Sequence, residues 1–234
     1  GPNGVLGGIS FQVPAGTTLA IVGRIGTGKT TIGRLIPRLI ASNSGQILID
    51  GISLEALPFH QIRDSIGYVP QETFLFTDTM YNNIALGLEN AAPNQIVEAA
   101  AVSQLTDDLA SMEQGLDTVI GERGVTLSGG QKQRTALARA VILRPQILIL
   151  DDALAAVDAR TEQEILDGLR DVMADRTTIL IAHRISTVRD ANQIIVLDDG
   201  KVAERGNHES LLQQDGIYAD MYRRQHLEAE IEGM

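Results

Sequence analysis

Residues 17–31 read Thr17-Thr18-Leu19-Ala20-Ile21-Val22-Gly23-Arg24-Ile25-Gly26-Thr27-Gly28-Lys29-Thr30-Thr31. The first six are β-branched or apolar and predict a buried strand over 17–22 that stops at Gly23. From Thr30 a helical pattern begins, expected over 30–40, with Pro37 kinking it or ending it early. Between the two, Gly23, Gly26 and Gly28 allow the backbone to wrap with its N–H groups pointing inward, a geometry that cradles phosphate oxygens. Lys29 is then placed to reach the β- and γ-phosphates of a nucleotide, and the Thr30 hydroxyl to sit on Mg²⁺. The bland alternative is a glycine-rich turn that happens to contain a lysine. Strand, glycine spacing, Lys-Thr pair and helix occur together here, and that is the context the phosphate-loop pattern demands.

Outward from this stretch the chain alternates. Strands are expected over 147–150, 177–182 and 193–197, with helices over 136–143 and 161–173 between or before them. Strands alternating with helices imply parallel pairing and a sheet covered on both faces, so the fold class is α/β. On the N-terminal side Ile9, Phe11 and Val13 alternate loosely before the turn Pro14-Ala15-Gly16. A further strand is expected over 46–50, closed by Asp50-Gly51. Residues 79–114 are rich in Ala and Asn, helical in pattern and poor in strand formers, which suggests an inserted helical unit. A last helix is expected over 216–232, partly apolar on one face through Ile217, Met221 and Leu227.

Two other stretches carry chemistry. Ile147-Leu148-Ile149-Leu150 followed by Asp151 reads as a strand buried on both faces with an acid emerging at its carboxyl end, where it can hold Mg²⁺ through water. Many α/β strands end in Asp; beside a phosphate loop the feature gains meaning. Leu127-Ser128-Gly129-Gly130-Gln131 opens a helix: Ser128 is a natural N-cap, and the two glycines let an anion approach the backbone. A capped helix start explains Ser128 but not a second glycine-rich anion site.

Composition narrows the partners. Nineteen Lys plus Arg against 30 Asp plus Glu give a formal charge of −11, and the chain has four Tyr, four Phe and no Trp. Such a chain is unsuited to gripping DNA or RNA over a wide face, so no nucleic-acid partner is expected. With no Cys there is no disulfide framework and no thiolate site, which permits a reducing compartment. The longest aliphatic runs are strand-sized, far short of the ~18 residues a spanning helix needs. Gly1-Pro2-Asn3-Gly4 lacks the basic start and apolar run of a signal peptide, and Gly1-Pro2 resembles a protease remnant.

Taken in order, these motifs resemble the nucleotide-binding domain of an ATP-binding cassette (ABC) transporter over essentially the whole chain. Residues 23–30 match the family's Walker A loop, 147–151 its Walker B strand, and 127–131 its signature. Gln71, in Tyr68-Val69-Pro70-Gln71-Glu72, matches the Q-loop glutamine. Ala155-Ala156-Val157-Asp158 matches the D-loop, and His183 the switch histidine. Thr118-Val119-Ile120-Gly121-Glu122-Arg123-Gly124, Phe74-Leu75-Phe76 and Asn83-Ile84-Ala85-Leu86-Gly87 resemble exporter sequence. The resemblance implies a P-loop NTPase (RecA-like) core with a parallel sheet, an N-terminal antiparallel β region and an inserted α-helical subdomain. It divides a single domain over 1–234 into an ATP-binding core (1–71 and 147–234) and a helical subdomain (about 72–146).

The resemblance also implies roles. ATP and Mg²⁺ are the expected ligands, with Gly23, Arg24, Ile25, Gly26, Thr27, Gly28, Lys29, Thr30, Thr31 and Asp151 on the nucleotide. Leu127, Ser128, Gly129, Gly130, Gln131 and Asp158 would contact a nucleotide across a head-to-tail dimer with a second nucleotide-binding domain. Thr30, Gln71 and Asp151 are the implied Mg²⁺ ligands; Asp152, His183 and Gln71 are the implied catalytic set. A transmembrane exporter domain would dock near Gln71, at the cytoplasmic face of a membrane.

Two departures qualify the picture. The family's general base after the Walker B aspartate is Glu, and here it is Asp152. One methylene fewer withdraws the carboxylate by ~1.5 Å, and misplacing a general base costs ~10²–10⁴ in rate. The expectation is a site that binds MgATP and turns it over slowly, as in the degenerate site of heterodimeric exporters. The alternative is a nucleotide-dependent dimerisation clamp with negligible ATPase activity. The second departure is the adenine-stacking aromatic: upstream of the loop only Phe11 is available, and its place in the pattern suggests core packing.

Overall fold

A computed structural model describes residues 5–121 and 126–232. Strand β1 (Thr18–Gly23) is buried at all six positions. Its side chains split by pleat: Leu19 and Ile21 enter one apolar cluster, Ala20 and Val22 the other. That two-sided burial is why the stretch reads as continuous apolar sequence.

The chain continues as α1 (Lys29–Leu35), β2 (Leu48–Ile49), β3 (Ile52–Ser53), α2 (Phe59–Ser65), β4 (Ile66–Val69), α3 (Met80–Ile84), α4 (Pro93–Val102) and α5 (Thr106–Ser111). It then runs α6 (Gly129–Ile142), β5 (Ile147–Asp151), α7 (Ala159–Ala174), β6 (Thr177–Ile181), α8 (Ile185–Val188), β7 (Gln193–Asp198), β8 (Lys201–Gly206), α9 (His208–Gln213) and α10 (Ile217–Glu232). The main sheet has the order β4-β5-β6-β1-β7-β8, parallel except for the β7–β8 edge pair. α1 and α2 cover one face through Ile32, Ile36 and Ile62; α6, α7, α8 and the start of α10 cover the other through Leu137, Ile165, Val188 and Tyr218. Between β4 and β5 the described residues add no strand to this sheet, and α3, α4 and α6 share a separate cluster around Ile84, Ile96 and Ala138.

The departures from expectation have local causes. α1 ends at Leu35, two residues before Pro37: Ile36 keeps helical dihedrals (φ −65°, ψ −47°), but Pro37 has no N–H to extend the ladder to the Gly33 carbonyl. The strand expected over 46–50 shrinks to Leu48–Ile49, which pairs with Ile52–Ser53 in a two-residue hairpin. Asp50 (φ 51°) and Gly51 (φ 79°) supply the positive φ values such a tight turn needs. Residues 9–13 form no strand; Ile9, Phe11 and Val13 pack against the Leu19–Ile21 cluster, as expected for Phe11. β4 and β8 are additions. In the exporter-like stretch 118–124, Glu122, Arg123 and Gly124 lie outside the described residues.

Candidate functional site

The carboxyl ends of β1, β5 and β6 meet at one rim of the sheet, where parallel α/β folds place their ligands. β1 leads into the glycine loop at Gly23 (φ 149°), where a Cβ would stand 2.3 Å from the Leu197 carbonyl oxygen, so glycine is required. Gly28 caps α1 in the left-handed region (φ 97°), turning the chain from loop to helix. The Lys29 ammonium folds back under the loop and donates to the Gly23 and Arg24 carbonyls at 2.7 and 2.9 Å. Burial lowers its pKa, while the charges of Asp152 and Asp151 pull the other way.

Asp151, at the end of β5, is fully buried. The Thr30 hydroxyl donates to its Oδ1 at 3.0 Å and the Tyr68 hydroxyl to its Oδ2 at 3.1 Å. Burial raises the Asp151 pKa, and the two hydroxyl donors oppose that rise by stabilising the anion. Tyr68 is pushed up to about 12 by its own burial and then by the Asp151 charge. The Asp151 carboxylate and the Thr30 hydroxyl are hard oxygen donors of the kind Mg²⁺ takes alongside phosphate oxygens and water, whereas the Gln71 amide is engaged at the neighbouring Asp152.

Asp152 holds a left-handed backbone conformation (φ 50°), fixed by its N–H donating to the Ile181 carbonyl at 2.7 Å. Two groups from different elements converge on its Oδ2: Gln71 Nε2 donates to it at 3.3 Å, and His183 Nε2 lies 3.6 Å away. Lys29, Thr30, Asp151, Asp152, Gln71 and His183 therefore gather at one rim, with Thr31 in the first turn of α1.

The stretch 127–131 is organised differently. Ser128 and Gln131 make a reciprocal capping box at the start of α6, with N–H···O distances of 3.2 and 2.9 Å. Gln131 Nε2 also donates to Asp108 Oδ1 at 2.8 Å, and Arg134 pairs with the same carboxylate at 2.9 Å. Leu127 packs against the Leu75–Ile120 cluster, while Ser128 and Gly129 are exposed. Among the described residues no hydrogen bond joins 127–131 to the loop at 23–31. Asp158, also exposed, caps α7 through the Arg160 and Thr161 N–H groups.

Several polar residues at the site escape sequence reasoning. Gln133 is buried in α6; its Oε1 accepts from Ala156 N–H at 2.8 Å, and its Nε2 donates to the Asp152 carbonyl at 3.4 Å. It thereby links the 127–131 helix to both acidic stretches. Glu162 is buried on α7, pairs with Arg184 and accepts from the Thr187 hydroxyl, while Arg184 also donates to the Val157 carbonyl at 3.2 Å. In sequence Glu162 is simply a first-turn helix acid, favourable at a helix N-terminus, and nothing flags its burial.

Residues 6–155 match the family model described as "ABC transporter". An ATM1-type heavy metal exporter of Novosphingobium aromaticivorans is 47% identical over 225 residues, covering 96% of this chain and 37% of that protein. The multidrug resistance-like ATP-binding protein MdlA of Escherichia coli is 47% identical over 224 residues, 96% of this chain and 38% of the relative. Among solved structures, a bacterial Atm1-family ABC exporter with ATP bound superposes with a TM-score of 0.92 at 47% identity, covering 95% of this chain and 39% of that one. The chain thus spans less than two-fifths of the length of each of these three proteins. Among the described residues no helix is long and apolar enough to cross a membrane.

Proposed function

This chain belongs to the ABC transporter family, as a nucleotide-binding domain homologous to those of Atm1-type and multidrug-type exporters, and on that premise we propose that it binds and slowly hydrolyses MgATP as the motor domain of an exporter. The observation that carries the reading is the convergence of Gln71, His183 and Asp152 beside the Lys29–Thr30–Asp151 cluster. In this reading residues 1–71 and 147–234 form the ATP-binding core, and about 72–146 the helical subdomain.

The loop N–H groups from Gly23 to Thr30 bind phosphate oxygens, and Lys29 exchanges its two carbonyl partners for the β- and γ-phosphates. Thr30, Asp151 and Gln71 are the residues that would hold Mg²⁺. Bound Mg²⁺ neutralises charge on the transferring phosphoryl group. Asp152 orients and deprotonates the attacking water, and His183 hydrogen-bonds the γ-phosphate side of the site. Ser128 and Gly130 contact a nucleotide held by a second nucleotide-binding domain. An open groove of about 610 Å³ lined by Phe74, Phe76, Asn82 and Leu86 is the docking place for a transmembrane domain, at the cytoplasmic face of the membrane.

The shorter Asp152 side chain makes this the weakly hydrolytic site of a pair. The intact 127–131 stretch then completes the competent site on a different partner chain. MgATP turnover of the wild type beside Asp152→Glu tests this: the substitution should raise turnover by roughly 10² or more. Fast wild-type turnover with no gain from Glu refutes the slow-site assignment. ATP-induced dimerisation without turnover in either form favours the clamp instead.

A further inference from the structure

Helix α10 is docked by its first half. Tyr218 and Ala219 are buried and Met221 packs on the main core, whereas Arg223 and Arg224 face solvent. Gln225 turns back toward the protein. Its Oε1 accepts the Ile185 N–H at 2.7 Å and its Nε2 donates to the His183 carbonyl at 2.6 Å. One side-chain amide thus spans the turn His183-Arg184-Ile185. The Ile185 N–H begins α8 and has no intrahelical acceptor, so Gln225 supplies the partner that a capping residue ordinarily provides. Using donor and acceptor at once is a property of the amide; a carboxylate or an aliphatic chain of the same length loses one bond or both.

The other side of the turn is anchored through Arg184, to the buried Glu162 of α7 and to the Val157 carbonyl just before that helix. Those contacts hold the Arg184 side chain. The α10 contacts act on the backbone that carries the His183 ring, which stands 3.6 Å from Asp152 Oδ2. A small rotation of that backbone displaces the ring relative to Asp152 and the rim, and placement errors of this size are costly in catalysis.

We infer that Gln225 is a positioning residue: from the C-terminal helix its side-chain amide sets the backbone of His183, so that these two hydrogen bonds, rather than the packing of α10 as a whole, control the competence of the nucleotide site. The inference rests on the ATPase reading above. The loop at 23–31 makes none of these contacts, so ATP binding is independent of the clamp and turnover depends on it.

The test compares Gln225→Ala with wild type and with Met221→Ala, which loosens α10 packing while leaving the amide in place. All three are made in the wild-type and Asp152→Glu backgrounds and studied well below their melting temperatures. Gln225→Ala is expected to lower kcat about tenfold with KM and ATP affinity within about twofold. Its Ile185 amide should exchange hydrogen about tenfold faster than in wild type, whereas Met221→Ala lowers the melting temperature and keeps kcat. Unchanged kcat in Gln225→Ala, an equal loss in Met221→Ala, or equal exchange at Ile185 would each overturn the clamp. If no form binds or hydrolyses MgATP, the ATPase reading fails and the catalytic role of Gln225 falls with it; exchange at Ile185 then decides separately whether the clamp exists.

Discussion

A buried carboxylate is expensive unless its oxygens are satisfied, and Asp151 is satisfied from two directions. Thr30 and Asp151 are legible in the sequence because each sits at the end of a local pattern, a glycine loop and an aliphatic run. Tyr68 is not, since its hydroxyl meets Asp151 across 83 positions of chain and only the β4–β5 register brings them together. Tyr68→Phe leaves the ring in place and removes one charge-assisted bond from a buried anion, worth roughly 1.5–3 kcal/mol. The variant should unfold at a lower urea midpoint by about that free energy, discounted because Tyr68 is itself half-exposed. An unchanged midpoint would mean that water replaces the hydroxyl at no cost. Gln133 and Glu162 were illegible for the same reason as Tyr68: their partners lie 19 to 25 positions away in other elements. Asp152 was legible as an acid but not as a residue at positive φ. Asp tolerates that conformation better than Glu, so Asp152→Glu should gain turnover at a stability cost of no more than about 1 kcal/mol.

Elements were legible in proportion to how much of them is buried. β1, β5, β6 and β7 have apolar residues on both faces and read as strands directly. β8 alternates exposed and half-buried residues at the sheet edge, and Lys201 to Gly206 contains no apolar run to announce it. Residues 9–13 show the converse: the alternation reports which side chains are covered, and no ladder follows because the backbone finds no partner strand. Helix α7 was legible in its body, starting two residues before and ending one residue after the expected 161–173, and its Asp158 cap carries a pH dependence. The Asp158 carboxyl lies below its ordinary pKa, chiefly because it accepts the Thr161 N–H, with the Thr161 hydroxyl and Arg160 N–H adding to the effect. A depressed folded pKa contributes stability that is present above the unfolded value and lost as pH falls through the folded one. Asp158→Asn keeps a capping oxygen but not the charge. Wild type should therefore melt higher than the variant at neutral pH, and the gap should close as pH falls through the ordinary carboxylate range and then through the lowered folded pKa. A gap that persists undiminished at low pH would assign the difference to shape rather than charge.

At the scale of the molecule, the reading proposed above has the two glycine-rich stretches serve different nucleotides. The loop at 23–31 sits on the rim with Asp151 and Asp152, whereas exposed Ser128 and Gly129 open α6, and among the described residues its hydrogen-bonded link to that rim runs through Gln133. A stretch built to face a phosphate yet turned to solvent makes sense when the phosphate arrives on another copy or a homologous partner. Ser128→Arg should leave ATP binding by the isolated chain intact and abolish the ATP-induced dimer, read by light scattering on a sizing column. The net charge of −11 adds a second signature. Two acidic chains, each carrying a bound nucleotide, repel as they approach, and salt screens that repulsion over a Debye length of ~10 Å at 0.1 M. The dimer should therefore tighten as salt rises from 20 to about 150 mM, the reverse of the steep weakening that salt imposes on phosphate-backbone binding. Dimerisation that weakens with salt would mean that local ion pairs across the interface outweigh the overall charge, and would place the contacting surface away from the acidic bulk of the protein.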